Sequence, residues 1–209
     1  MYLETLARDT KKLLDKIKDQ NWLKDFYLAG GTALALYLGH RQSIDLDWFT
    51  PKSFNTKILL KKLQKIGRFE LINEEENTLE GYLDGVKLSF MTYPYGLLDK
   101  KEKLFGQVFL ASKLDIALMK LSAIAGRNAK KDFIDLYYYL QIEQTNLSNL
   151  FQQTSKKFKG IDYDIIHVCK SLIYFKEAEE QPDPKMLIKI TWPKVKAFWQ
   201  AEVKKILQL

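Results

Sequence analysis

Asp45-Leu46-Asp47 places two carboxylates two residues apart in a run, Ile44 to Phe49, that alternates as a strand. Ile44, Leu46 and Trp48 fall on one side, and Asp45, Asp47 and Phe49 on the other. Residues i and i+2 of a strand leave the same face. Such a pair repels itself unless cations or hydrogen-bond donors sit between the two groups. Hard oxygen donors in this arrangement suit Mg²⁺, which keeps waters and substrate phosphates as its other ligands. Upstream, a short apolar run, Phe26 to Ala29, ends in Gly30-Gly31-Thr32. Two glycines allow positive φ or a close approach of backbone to ligand. Thr32 is placed to cap a helix over Ala33–Leu38, whose N-terminal N–H groups would then face an anion. Gly39 ends that helix, and His40-Arg41-Gln42-Ser43 forms a polar loop. A phosphate cradle beside a carboxylate pair is the equipment of nucleotidyl transfer. An isolated Asp-x-Asp is more often the wet face of an amphipathic strand. The glycine turn, Arg41 and Ser43 in the same short span favour chemistry here.

The elements that must position these groups read as follows. Leu3 to Lys18 has helical spacing of Leu3, Leu6, Leu13, Leu14 and Ile17. Pro51 ends the Asp-x-Asp strand, and Ser53 or Asn55 caps a helix that runs to about Ile66 with its lysines outward. Residues 69–76 and 78–83 read as strands of a meander, and Asp84-Gly85 is a hairpin signal leading into a strand over Val86–Thr92. A soft domain boundary falls in 94–110. Beyond it the pattern is helical: Ala111–Arg127, about 130–141, Leu147–Phe158 and Tyr163–Ala178. Gln181-Pro182-Asp183-Pro184 reads as a rigid linker. Thr191 caps a final helix with Pro193 in its first turn. Lys113, Lys120 and Arg127, spaced by seven, share one stripe of their helix. Asp132 and Asp135, at i and i+3, share a face of the next one. The expected architecture is α/β (α+β), a mixed sheet flanked by helices and followed by a helical bundle. The expected division is 1–105 and 106–209.

With 46% hydrophobic residues the 209-residue chain can bury a proper core. One cysteine, Cys169, argues against a disulfide framework and for a reducing, cytoplasmic setting. The first residues lack the features of a signal peptide, and no run is apolar enough to span a bilayer, so no membrane partner is expected. His40 and His167 are too separated for a histidine metal cluster, and His167 and Cys169 read as packing residues. A net charge of +7 suits a polyanionic partner such as RNA or nucleotide.

Gly30-Gly31-Thr32-Ala33-Leu34, followed by His40-Arg41-x-Ser43-x-Asp45-Leu46-Asp47-x-Phe49, resembles the first motif of the AbiEii/AbiGii-type nucleotidyltransferases, within the DNA polymerase beta-like superfamily. Ala111 to Leu121, Arg127 and Lys131-Asp132-Phe133-Ile134-Asp135-Leu136-Tyr137 are similar to its later motifs. The resemblance implies the nucleotidyltransferase fold and an enzyme that uses an NTP and Mg²⁺ to modify an RNA, possibly tRNA, or a protein acceptor. It implies a toxin paired with an antitoxin protein in bacterial abortive infection or growth control. Carried over by position, Asp45 and Asp47 hold metal, and Gly30, Gly31 and Thr32 hold triphosphate. Lys120 binds phosphate or acts in catalysis, and Asp132 and Asp135 complete an acidic motif. Arg41, Ser43, Arg127 and Lys131 join the nucleotide-binding set. The superfamily supplies a third carboxylate from a neighbouring strand, and the matching strand here offers Lys87 and Ser89 instead. The alternative is a catalytically weak or inactive module on the same fold that binds nucleotide, RNA or an antitoxin.

Overall fold

A computed structural model describes residues 1–208. The hairpin expected at Asp84-Gly85 is present, with both residues at positive φ (50° and 82°), as a two-residue turn between strands requires. It joins β4 (Thr78–Leu83) to β5 (Val86–Thr92), and β3 (Phe69–Glu75) pairs antiparallel with β4. β2 (Leu46–Thr50) lies parallel to β5, with Asp47 opposite Ser89 and Phe49 opposite Met91. On its other side β2 runs antiparallel to β1 (Tyr27–Ala29), where Ala29 faces Asp47. The mixed sheet is completed by β7 (Val108–Leu110), parallel to β1, and β6 (Glu102–Phe105), in the order β3-β4-β5-β2-β1-β7-β6.

Strand β2 sorts its side chains as a half-covered strand should: Leu46, Trp48 and Thr50 are buried, while Asp47 and Phe49 are partly exposed on the opposite face. Helix α1 (Arg8–Ile17) packs on β5, and α3 (Thr56–Ile66), capped by the Asn55 side chain, packs on β3 and β4. Helix α2 (Gly30–Leu38) follows β1 and is covered by α4 (Lys113–Arg127) and α5 (Lys130–Ile142). The rest of the helical half is α6 (Leu147–Lys157), α7 (Ile165–Leu172), the short α8 (Lys176–Glu179) and α9 (Trp192–Leu207). Trp48 and Trp199 are fully buried in one core that draws on both halves. No helix among the described residues is long and apolar enough to cross a membrane.

The structure departs from the sequence reading at several points. The stretch 94–110 holds the β6–β7 hairpin, so the expected 105/106 seam runs through that hairpin. Leu3–Lys18 is a single turn of 3₁₀ helix at Leu3–Thr5 followed by α1, because Leu6 leaves the helix to bridge Ser43. Tyr163–Ala178 divides into α7 and α8 at Ile173–Phe175. Ile44 is outside the strand and 62% exposed. His167 is exposed, whereas Cys169 is buried as expected.

A second buried ion pair, not anticipated, ties the loop after β5 to the helices. Lys157 Nζ lies 2.7 Å from Asp115 Oδ1 and donates to the Gly96 carbonyl at 3.0 Å. Asp115 also accepts from the backbone N–H groups of Leu98 and Asp99 and from the Ser112 hydroxyl. With its charge paired and its oxygens satisfied, the buried carboxylate escapes the several kcal/mol that an unpaired ion costs.

Candidate active site

Gly30 turns the chain from β1 into α2 with φ +65°, a conformation in which glycine carries no steric penalty. An added Cβ there would lie 2.5 Å from Asp47 Oδ2, so the glycine keeps the approach to that carboxylate open. At Gly31 a Cβ would meet Arg41 Nη2 at 2.2 Å; this glycine lets the guanidinium pass over the first turn of α2. The helix thus begins at Gly30, two residues ahead of the expected Thr32 cap. The Thr32 hydroxyl instead bonds the Asp45 carbonyl and, at 2.8 Å, the Ser43 hydroxyl. Thr32 and Ser43 therefore fix the chain that carries Asp45. Asp45 sits just before β2 and acts on Asp47 through its charge.

Asp47 is the site carboxylate without a direct ion-pair partner among the described residues. Burial pushes its pKa up, the Lys120 charge pulls it down, Asp45 raises it again, and Lys131 and Arg127 oppose. The net direction is up, and among the described residues no side chain forms an ion pair with it. A carboxylate without an ion-pair partner beside an open glycine is chemically what a divalent cation takes. Asp45 lines a separate hollow with Ala7, Thr10 and Lys87 and reaches Asp47 through its charge. No set of three or more histidine, cysteine or acidic side chains converges to hold a metal among the described residues, so substrate phosphate and water would complete the shell.

The remaining charges form a chain from the loop after α2 to α4 and α5, buried except at Arg127. Asp135, with no exposed surface, accepts from Arg41 Nε at 2.6 Å and Nη2 at 2.8 Å, and from His40 Nε2 at 2.8 Å. Lys120 Nζ lies 2.7 Å from Asp135 and 2.5 Å from Asp132. Asp132 in turn accepts from Arg127 at 2.7 and 3.0 Å. Burial disfavours each ion, but the partners win: Asp132 falls below the usual carboxylate range, and Asp135 falls well below it. Burial also opposes the Lys120 ammonium, yet the two aspartates raise its pKa. Arg41 is likewise held charged against burial by Asp135. The three cations outnumber the two anions, so the chain presents net positive charge behind Asp47.

These pairings assign new positions to expected site residues. Arg41 and Lys120 are 4% and 3% exposed and engaged by aspartates, so neither is free to close on a phosphate. Asp132 and Asp135 are paired acceptors with depressed pKa, which makes them weak bases and leaves neither to replace the acid absent at Ser89. Ser89 is buried directly across from Asp47. The stripe of Lys113, Lys120 and Arg127 splits: Lys113 pairs with Glu143, Lys120 is buried, and Arg127 remains 59% exposed in its side chain. Lys131 is exposed, and its charge reaches Asp47. His40, read earlier only as a loop residue, is fully buried against Tyr138. Only its place between Gly39 and Arg41 hinted at this.

Asp47, Gly30, Lys120 and Arg127 open onto a cavity of about 400 Å³ between β2, β5 and α4, whose other wall is apolar. Alanine at Gly30 is expected to cost about 1–2 kcal/mol for a left-handed residue with a side chain. It should also block the approach to Asp47. Thermal melts together with nucleotide affinity check this: Gly30→Ala should weaken binding more than Gly31→Ala, whose main effect is to displace Arg41.

The sheet, the glycine turn and the carboxylate beside it define a nucleotidyltransferase fold. The MenT4 nucleotidyltransferase toxin of Mycobacterium tuberculosis H37Rv is similar in structure, with a TM-score of 0.58, 14% identity, and 94% of this chain and 82% of that one covered. A candidate nucleotidyltransferase from H. pylori matches with a TM-score of 0.53, 17% identity, and coverage of 97% and 98%. The family model described as Nucleotidyl transferase AbiEii toxin, Type IV TA system, matches residues 12–105. A curated protein of Aquifex aeolicus (strain VF5), described as uncharacterized, is 37% identical over 209 residues, covering 99% of this chain and all of that one. Residues 12–105 of the chain thus match the AbiEii family of nucleotidyltransferase toxins, and the whole chain has the nucleotidyltransferase fold.

Proposed function

We propose that the protein transfers a nucleoside monophosphate from an NTP to an RNA or protein hydroxyl in a Mg²⁺-dependent reaction. One observation carries this reading. The half-buried Asp47 carboxylate, raised in pKa and without an ion-pair partner, faces a cavity whose glycine corner is held open beside it. Asp47 would hold the metal, with Asp45 acting through its charge. When bound, that metal neutralises triphosphate charge and polarises the α-phosphorus. Gly30 and the first N–H groups of α2 face the phosphates, where the helix dipole favours an anion. Arg127, partly exposed, and Lys131 offset charge that builds on the departing pyrophosphate. Lys120 acts from behind: held by Asp132 and Asp135, it supplies field and fixes Arg127 through the shared Asp132. The acceptor oxygen forms a bond to the α-phosphorus, the bond to pyrophosphate breaks, and the acceptor proton leaves to solvent. A loose transition state demands positioning and charge more than a strong base, so a serine opposite Asp47 is compatible with turnover.

The family's toxin character suggests an antitoxin protein as the partner of this chain. Incubation with α-labelled NTPs, Mg²⁺ and either total RNA or a protein extract tests the reading. Label is expected in one acceptor fraction and is expected to disappear with chelator. Normal nucleotide binding with no label in any acceptor would sink the proposal in favour of a binding module.

A further inference from the structure

We infer that the cavity binds the nucleobase by stacking and shape alone, so that the protein accepts all four NTPs with similar affinity. This rests on the nucleotide-binding reading above. The cavity has a chemical direction. On adjacent parallel strands, Asp47 and Ser89 lie side by side, then Phe49 and Met91, each step roughly 7 Å along the strand. Tyr93 follows at the end of β5, its N–H bonded to the Thr50 carbonyl. Helix α4 matches this order. Its Arg127 and Lys120 act on Asp47, while Asp115, near its start, acts on Tyr93, and Ile116 follows at the lining of the cavity. A triphosphate held at Asp47 therefore directs its base towards Phe49, Tyr93, Met91 and Met119.

That end is built as a rigid aromatic platform. Phe49 stacks on Tyr27 (centroids 6.1 Å, 25°) and meets Tyr93 edge to face (5.9 Å, 75°). Tyr93 is braced by Tyr95 at 5.0 Å and by the Lys157 ammonium 5.5 Å from its ring. Its hydroxyl lies in the field of Tyr27, Tyr95, Tyr163 and Asp115; burial first, then these groups, push its pKa up. The hydroxyl therefore stays neutral, and the ring is a surface on which a base can stack. Telling one base edge from another takes carboxamide, cationic or carboxylate groups, whereas a hydroxyl bonds either kind of edge. Among the described residues that line the cavity, the polar side chains away from the charged end are only the Tyr93 and Ser122 hydroxyls. A site that hydrogen-bonds its substrate discriminates by 10⁴–10⁵, whereas apolar contact discriminates by roughly 10–200 at most.

Binding of ATP, GTP, CTP, UTP and inorganic tripolyphosphate in Mg²⁺ tests this. The four NTPs are expected within about tenfold of one another, each about fivefold or more tighter than tripolyphosphate, the worth of one stacked base. Tyr93→Ala should bring the NTPs towards tripolyphosphate and leave tripolyphosphate itself unchanged. Tyr93→Phe should keep the wild-type pattern. One NTP favoured more than about a hundredfold, or NTPs no tighter than tripolyphosphate, would overturn the inference and leave the triphosphate site standing. Failure of tripolyphosphate to bind overturns the nucleotide reading with it. The wild-type comparison decides even if Tyr93→Ala does not fold.

Discussion

Asp47→Asn is expected to abolish Mg²⁺-dependent nucleotide binding and to lower transfer by on the order of a hundredfold or more, the scale of removing one electrostatic contact to a transition state. The fold should survive, and the stability data should show why. Burial raises the Asp47 pKa in the folded protein, so ionisation works against folding. Its contribution to stability is present below the ordinary carboxylate pKa and is lost as pH rises through the raised value. Asparagine is neutral at every pH and carries no such penalty. Without divalent cations the variant should therefore melt at or above the wild-type Tm at neutral pH. Mg²⁺ should raise the wild-type Tm by mass action and leave the variant unmoved. A variant that melts well below wild type, or still responds to Mg²⁺, would remove Asp47 from the metal site.

Asp135→Ala should have the opposite profile, with a large stability loss preceding any question of activity. The substitution strands Arg41 and His40, which are 4% and 0% exposed, and leaves the buried Lys120 with Asp132 alone. Breaking a buried pair by removing one partner costs about 3–5 kcal/mol. In a chain of this size each kcal/mol is about 2–4 °C in Tm. The pH dependence follows from the depressed Asp135 pKa, which burial opposes and Arg41 and Lys120 enforce. Its contribution is present above the ordinary carboxylate pKa and is lost as pH falls through the lowered value. Wild type should therefore lose stability in acid more steeply than the variant, as chemical denaturation across pH would show. The double variant Arg41→Ala/Asp135→Ala should be less damaged than the sum of the singles, since it leaves fewer unpaired ions.

Much of the fold was legible because it rests on local signals. The Asp84-Gly85 turn, the Asn55 cap and the alternation of Val86–Thr92 need no distant partner, and the structure holds all three. The neighbour of Asp47 was indicated by the resemblance, which pointed to the Val86–Thr92 strand with Lys87 and Ser89 on its polar face; the structure puts Ser89 opposite Asp47. What the sequence concealed was long-range electrostatics. Arg41 and Asp135 are 94 residues apart, and Lys157 and Asp115 are 42 apart; nothing local marks either pair as buried. Arg41 in a polar loop looks like a free phosphate ligand until α5 closes over it. Gly31 looks like half of a cradle until the guanidinium passing above it is seen. The β6 and β7 strands are four and three residues long, too short to show a period; β7 depends on β1 for its pairing, and β6 on β7. Asp47 stands apart from these pairs: Lys120 and Arg127, whose charges reach it, form their ion pairs with other carboxylates.

Nucleotidyl transfer at Asp47 is tested by parallel reactions with α-labelled and γ-labelled NTP. Label is expected in the acceptor from the α-phosphate alone, with the γ-label recovered as pyrophosphate in equal amount and both signals reduced on the order of a hundredfold or more in Asp47→Asn. Acceptor label from the γ-phosphate, or α-label transfer undiminished in Asp47→Asn, would contradict it.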